Sequence, residues 1–220
     1  MIITIDGPAG AGKSSIAHQV ADRLGFEFLD TGAMYRAVTF GALRAGVVMS
    51  DADSLSDFAA CVQLHWVDQK IFLNDEDISE QIRTPEVTKA IRFVADIPSV
   101  REQLSHHMRR IAADRDIVTE GRDQGTEVFP DAHCKLFLTA SPEERARRRQ
   151  QQLAAVGEDH SVEEILVAQN QRDLEDRMRE VGRLRAATDA IVIQSDGLSP
   201  DEVLAKVLET VEVCISQQRI

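Results

Sequence analysis

Eight residues near the start of the chain constrain it more tightly than anything else in it. Gly7-Pro8-Ala9-Gly10-Ala11-Gly12-Lys13-Ser14 satisfies the spacing G-x-x-x-x-G-K-[ST]. The apolar run Ile2–Ile5 leads into it, and Ile16, Val20 and Leu24 follow at helical spacing. A strand, a glycine-rich turn and a helix in that order form a phosphate cradle. The glycines let backbone N–H groups converge on phosphate oxygens without Cβ clashes, and the helix N-terminus adds partial positive charge. Lys13 supplies a point charge for β- and γ-phosphates, and the Ser14 hydroxyl is placed for Mg²⁺. Switch proteins, motors and small-molecule kinases all use such a loop. What receives the phosphate has to be read elsewhere.

The remaining pattern sets the fold class. MIITIDG, FEFLDTG, DIVTEGRD, HCKLFLTAS and DAIVIQSD are short apolar runs separated by helical stretches. Such alternation predicts an α/β fold with a five-stranded parallel sheet covered by helices on both faces. Ser199-Pro200 with Asp201 and Glu202 predicts the start of a last helix. One segment breaks the rhythm. From Val62 to Ile78 the chain reads as two or three short strands with turns at Asp68-Gln69 and Asn74-Asp75, which suits a small antiparallel insert over about residues 60–80. No Gly/Ser- or Pro-rich linker divides the 220 residues, so residues 1–220 are expected to act as one domain.

Composition excludes several classes. With 37 acidic against 25 basic residues the net charge is −12, which repels nucleic acid and anionic membranes while leaving a local phosphate pocket possible. No apolar run could span a bilayer, and MIITIDG lacks the basic flank of a signal peptide, so a cytoplasmic protein is expected. Cys61, Cys134 and Cys214 have no metal-binding or CxxC spacing and read as reduced, mostly buried thiols.

Two further groups point to the same crevice. Asp30-Thr31-Gly32-Ala33-Met34-Tyr35-Arg36 follows the second strand, and Glu120-Gly121-Arg122-Asp123 ends another; ligands of open α/β sheets bind beyond strand carboxyl ends. Arg172, Asp173, Asp176 and Arg179 fall at i, i+1, i+4 and i+7 of a helix, which puts Arg172, Asp176 and Arg179 on one face. On spacing alone, an exposed salt-bridged stripe is the better reading.

IDGPAGAGKSS, FLDTGAMYRAV, IRTPEV, IPSVRE, EGRDQGTEVFPDA, LFLTASPEERARRR and QRDLEDRMR, in this order and spacing, resemble bacterial cytidylate kinases from Ile2 to about Val207. The resemblance implies the P-loop nucleoside monophosphate kinase fold and transfer of the ATP γ-phosphoryl group to CMP or dCMP, with Mg²⁺. It implies a CMP-side role for the insert and a lid over about residues 145–160; a monomer without nucleic-acid or membrane partners is expected. Carried over by position, Gly7, Pro8, Ala9, Gly10, Ala11, Gly12, Lys13, Ser14 and Ser15 hold ATP, with Ser14 on the metal. Arg36 and Arg122 hold the CMP phosphate and Arg179 lies near the transferring group, so Lys13, Arg122 and Arg179 are the catalytic set. Arg172 and Asp176 meet the ribose, Arg101 and Asp123 the cytosine end, and Thr31 and Tyr35 line the pocket. Three positions leave the family pattern: Arg92 replaces a small hydroxyl residue beside the base, Gln124 an apolar residue, and Gly182-Arg183-Leu184 an A-P-L run.

Overall fold

A computed structural model describes residues 1–217 of the chain. They fall into two compact units, one of Met1–Phe28 with Asp116 onward and one of Leu29–Arg115.

The first unit is built on the sheet expected from the sequence. Strands β1 (Ile2–Asp6), β2 (Glu27–Asp30), β6 (Ile117–Gly121), β7 (Cys134–Thr139) and β8 (Ile191–Gln194) lie in the order β2-β6-β1-β7-β8. β1 is central and pairs in parallel with β6 (Ile3 opposite Val118) and with β7 (Ile5 opposite Leu136). A central strand buried on both faces must be apolar throughout, and Ile3 and Ile5 are fully buried. Helix α1 (Lys13–Leu24) and helix α8 (Pro200–Gln217) pack Ile16, Val20, Val203, Val207 and Val211 against Ile3, Leu136 and Ile193. Ser199 starts α8 as expected, accepting from the Glu202 N–H at 3.3 Å while the Glu202 carboxylate accepts from the Ser199 N–H at 2.8 Å. Helices α6 (Pro142–Ala154) and α7 (Val162–Met178) complete the unit, capped by Ser141 and Ser161.

The second unit holds α2 (Thr31–Arg44), α3 (Ala52–Cys61), α4 (Pro85–Ala95) and α5 (Pro98–Ala112) with an antiparallel sheet of β3 (Leu64–Val67), β4 (Lys70–Leu73) and β5 (Glu76–Asp77). This is the expected insert, and both turns fall where the sequence put them. Asp68, Gln69, Asn74 and Asp75 all have left-handed φ, as two-residue hairpins require of their central positions. Alternation directs Leu64, Trp66, Ile71 and Leu73 inward. Gly41 of α2 lets that sheet approach: a Cβ there would stand 2.7 Å from Leu73 Cδ2 and 2.9 Å from Phe58.

The thiols differ in part from expectation. Cys61 is exposed, and Cys134 on β7 meets Cys214 on α8 with sulfurs 2.8 Å apart, both free. Their separation in sequence hides a contact made by packing a helix on a sheet.

Candidate active site

The phosphate loop links β1 to α1 as read from the sequence. Gly7 has φ +149°, and a Cβ on it would lie 2.0 Å from the Leu138 carbonyl oxygen, so no other residue fits. Gly12 takes the left-handed N-cap position of α1 and leaves the helix N–H groups uncovered by any capping side chain. Gly10, Gly12, Ser14 and Ser15 are exposed whereas Lys13 is buried. Lys13 Nζ donates to the Pro8 carbonyl at 3.0 Å and lies 3.8 Å from Glu120 Oε2. Burial above all, with Arg122 close by, lowers the Lys13 ammonium to about 7; Glu120 and Asp6 only partly offset this.

Asp6, at the end of β1, is nearly inaccessible. It accepts from the Gln124 N–H at 2.9 Å and the Gly125 N–H at 2.7 Å. Burial outweighs both bonds and pushes its carboxyl up to about 7. Gln124, one of the departures from the family pattern, thereby acquires a place: its side chain is buried and accepts from Thr119 Oγ1 at 3.3 Å. Gly121 leaves room for it, since a Cβ there would stand 2.7 Å from Gln124 Cγ. Asp123, also buried, precedes a π-helical turn over Gln124–Val128.

The stripe on α7 is not an exposed salt-bridge ladder. Asp176 is 2 % exposed, with Arg122 Nε donating to Oδ2 at 2.8 Å and Arg179 Nη2 at 2.8 Å from Oδ1. Burial alone would raise this carboxyl, but Arg122, Arg179 and Arg172 outweigh it and hold it below the usual range. Both carboxylate oxygens are thus engaged by arginines. Arg179 reaches its position from the C-cap of α7, in extended backbone, instead of from the helical turn that i+7 spacing implies. Arg172 is exposed, yet its charge acts on both Lys13 and Asp176. Gly182, in the Gly182-Arg183-Leu184 departure, donates its N–H to Glu127 Oε2 at 2.8 Å, and the Leu184 N–H bonds the Asp176 carbonyl at 2.9 Å.

Sequence reasoning missed Arg145 and Asp173 as a pair. Both are about 3 % exposed and Arg145 Nη1 stands 2.7 Å from Asp173 Oδ2. An arginine in the run Arg145–Arg149 gives no sign in sequence of being the buried one. Mutual repulsion within that run is answered internally, since Arg147 and Arg148 both pair with Glu144 at 3.0 Å.

In the second unit Asp30 caps α2, accepting from the Ala33 N–H at 2.9 Å, and this sets Thr31 and Tyr35 in buried positions on that helix. Arg101 is buried, donates to the Ala95 carbonyl at 2.8 Å, and lies 5.2 Å from the centre of the Tyr35 ring. Arg36 Nη1 donates to Thr88 Oγ1 at 2.8 Å. Arg92 is exposed, its guanidinium 4.9 Å from the centre of its neighbour Phe93. Thr31, Tyr35 and Arg36 on α2 and Arg101 on α5 therefore belong to the second unit, while the phosphate loop, Arg122, Asp123, Arg172, Asp176 and Arg179 belong to the first.

Comparison with known proteins agrees with this chemistry. The cytidylate kinase family model matches residues 3–213. A cytidylate kinase of Rhodopirellula baltica is 69% identical over 215 residues, covering 98% of this chain and 94% of that protein. Another, from Carboxydothermus hydrogenoformans, is 45% identical and covers 96% of this chain and 97% of its own. Among solved structures a shikimate kinase from Bacteroides thetaiotaomicron aligns with a TM-score of 0.50 at 14% identity, over 96% of this chain and 98% of that one, a likeness of fold. A phosphate loop, a clustered set of arginines and a family match over nearly the whole length lead to one conclusion: the chain belongs to the cytidylate kinase family, nucleoside monophosphate kinases that phosphorylate CMP.

Proposed function

We propose that the first unit holds ATP on Gly7–Ser15 and that Lys13, Arg122 and Arg179 neutralise the charge that moves during transfer. The observation that supports this is electrostatic. Burial above all, then Arg122 and Arg172, lower the Lys13 ammonium, and Glu120 and Asp6 offset this only in part, so Lys13 lacks full compensation for its charge. A triphosphate is the ligand that supplies it.

Phosphoryl transfer needs positioning and charge stabilisation more than covalent chemistry. An oxygen of the acceptor phosphate attacks the γ-phosphorus in line, and that phosphate is already ionised near neutral pH, so no general base is assigned. Asp176 is then the residue that orients Arg122 and Arg179, since both its oxygens are engaged by them. The ribose contact implied by the resemblance rests more naturally on Arg172, which is exposed. Thr31, Tyr35, Arg36 and Arg101 of the second unit, with Asp123, are proposed to recognise CMP or dCMP.

Mg²⁺ fits the residues present. Ser14 Oγ donates to Glu120 Oε1 at 3.0 Å, a hydroxyl beside a carboxylate, and Mg²⁺ takes hard oxygen donors of this kind together with substrate phosphates. When bound beside Ser14, it would supply charge neutralisation to the triphosphate. The whole chain is proposed to work as one cytoplasmic kinase domain, with residues 60–80 on the CMP side. Lid movement is assigned to the exposed run 151–160, because Arg145 at the other end of the expected lid is buried. None of the described helices is long and apolar enough to cross a membrane.

ADP release measured with ATP and Mg²⁺ against CMP, dCMP, UMP, AMP and shikimate tests the reading. Turnover should be highest with CMP and dCMP. A preference for UMP, AMP or shikimate would refute it.

A further inference from the structure

Arg145 has a side chain directed wholly inward, and three elements converge on it. Nη1 donates to the Ala9 carbonyl at 2.9 Å, inside the phosphate loop. Nε donates to the Ala140 carbonyl at 3.2 Å, just beyond β7, and Nη1 also meets Asp173 of α7 at 2.7 Å. Gln169, one turn earlier on α7, directs its side-chain amide at the Arg145 carbonyl at 3.5 Å. The crest of the loop rests on this assembly: a Cβ on Gly10 would stand 2.8 Å from Gln169 Nε2 and 3.3 Å from Arg145 Cβ.

We propose that Arg145, backed by Asp173, is a positioning residue that sets the orientation of the Ala9–Gly10 peptide in the phosphate loop and ties that loop to α6 and α7. A trans peptide is planar, with its C=O and N–H pointing in opposite directions. Drawing the Ala9 carbonyl onto the guanidinium therefore turns the Gly10 N–H away from Arg145, to the solvent side of the loop where a phosphate oxygen can be met. Without that donor the peptide is free to rotate and one N–H of the cradle is lost. The fork geometry is needed because three acceptors on three elements are reached from two nitrogens, which a lysine ammonium cannot reproduce.

Asp173 gives the device its rigidity. Its carboxylate is 3 % exposed and neither oxygen has a hydrogen-bond partner, so its compensation comes from the ion pair with Arg145. A buried pair of this kind is weak evidence for stability in itself, because desolvation offsets much of the attraction. It holds a geometry, and the geometry here is that of the loop. Against burial, Asp176 chiefly, then Glu120 and last Asp173, raise the Arg122 guanidinium, so the assembly also borders the arginines of the transfer site.

This inference rests on the reading of Gly7–Ser15 as the ATP site, and the test separates the two. ATP dissociation constants by titration calorimetry, KM for CMP and thermal midpoints are measured for Arg145→Met, Arg145→Lys, Arg145→Met/Asp173→Leu and, as a control, Lys13→Ala. Arg145→Met should weaken ATP binding about tenfold or more, the scale of one charge-assisted hydrogen bond, with KM for CMP within about twofold. It also strands a buried carboxylate and should melt earlier. The double variant removes that carboxylate and should regain most of the lost midpoint but none of the ATP affinity. Arg145→Lys should recover part of the affinity. If the double variant regains both, the pair is merely structural and the proposal fails; it fails equally if Arg145→Lys binds ATP like the parent, or if CMP use drops as far as ATP binding. Should Arg145→Met not fold, the double variant and Arg145→Lys still decide. Lys13→Ala with unaltered ATP binding and turnover would instead overturn the ATP site itself.

Discussion

Burial lowers Lys13 to about 7, which has a measurable consequence if nucleotide binds the phosphate loop as proposed. With a pKa of about 7, about one Lys13 in eleven carries its proton at pH 8. A bound triphosphate favours the ammonium strongly, so binding at pH 8 should take up about 0.9 proton, against about 0.1 at pH 6. Titration calorimetry of ATP in two buffers of different ionisation enthalpy gives that number as a slope. Asp6 is the other group near 7, so the experiment is repeated in Asp6→Asn, where the Lys13 share should persist. Uptake below about 0.2 proton at pH 8 in both proteins, or a net release, would show that Lys13 is charged before ATP binds and that its burial does not act as described. The same two groups shape stability without ligand. The Lys13 pKa is depressed, so the unfolded chain binds the extra proton and stability rises with pH from about 7 to about 10.5. The Asp6 pKa is raised, so the folded chain binds the extra proton and stability falls with pH from about 3.8 to about 7. A stability minimum near pH 7 is expected, and saturating ATP should flatten its alkaline side.

Three substitutions probe the remaining assignments. Lys13→Ala should fold and bind CMP yet lose two or more orders of magnitude in kcat, roughly the effect of removing a donor aimed at developing charge; turnover within about threefold of the parent would end that role. Asp176→Asn can accept from only one of its two arginines and should lower kcat/KM for CMP about tenfold or more while ATP affinity stays within about threefold. A loss of ATP affinity at constant KM for CMP would move the end of α7 to the donor side. Arg92 stacks outward on Phe93, so Arg92→Ser, which can both donate to and accept from a base, should raise the CMP-over-UMP ratio of kcat/KM about tenfold. A fall in that ratio would mean that the arginine reads the base.

How far the sequence revealed this molecule depended on whether a feature is local. The phosphate loop is local: glycine positions, a lysine and flanking strand and helix are all set within the first 24 residues, and the structure reproduces them. The hairpin turns are local too, and Asp68-Gln69 and Asn74-Asp75 adopt the left-handed backbone that short polar turns favour. Parallel strand order is not local, but apolar runs separated by helices leave few alternatives. What stayed hidden were contacts between distant segments. Arg145 and Asp173 stand 28 positions apart, and Asp6 meets Gln124 across more than half the chain. Charged residues carry no mark of burial, and a helical period said nothing about which arginine in Arg145–Arg149 turns inward.

That asymmetry follows from what the site has to do. A protein with net charge −12 must still attract a polyphosphate, so its relevant cations have to act at short range. Burial achieves this in two opposite ways here. Arg145 is buried, and Arg122 and Arg179 are half-buried, each with a carboxylate already beside it that favours the charged form. Lys13 is lowered to about 7 by burial and then by Arg122 and Arg172, which Glu120 and Asp6 only partly offset, so a phosphate bound there as proposed should favour its charge. An arginine suits the first task because its guanidinium keeps its proton under almost any burial, whereas a lysine suits the second because its ammonium yields one readily. Exchanging the two types should therefore fail in both directions. Lys13→Arg would carry a permanent charge that the pocket only partly compensates, and it should bind ATP without the proton uptake that marks the parent at pH 8; uptake undiminished in Lys13→Arg would assign the titration to another group.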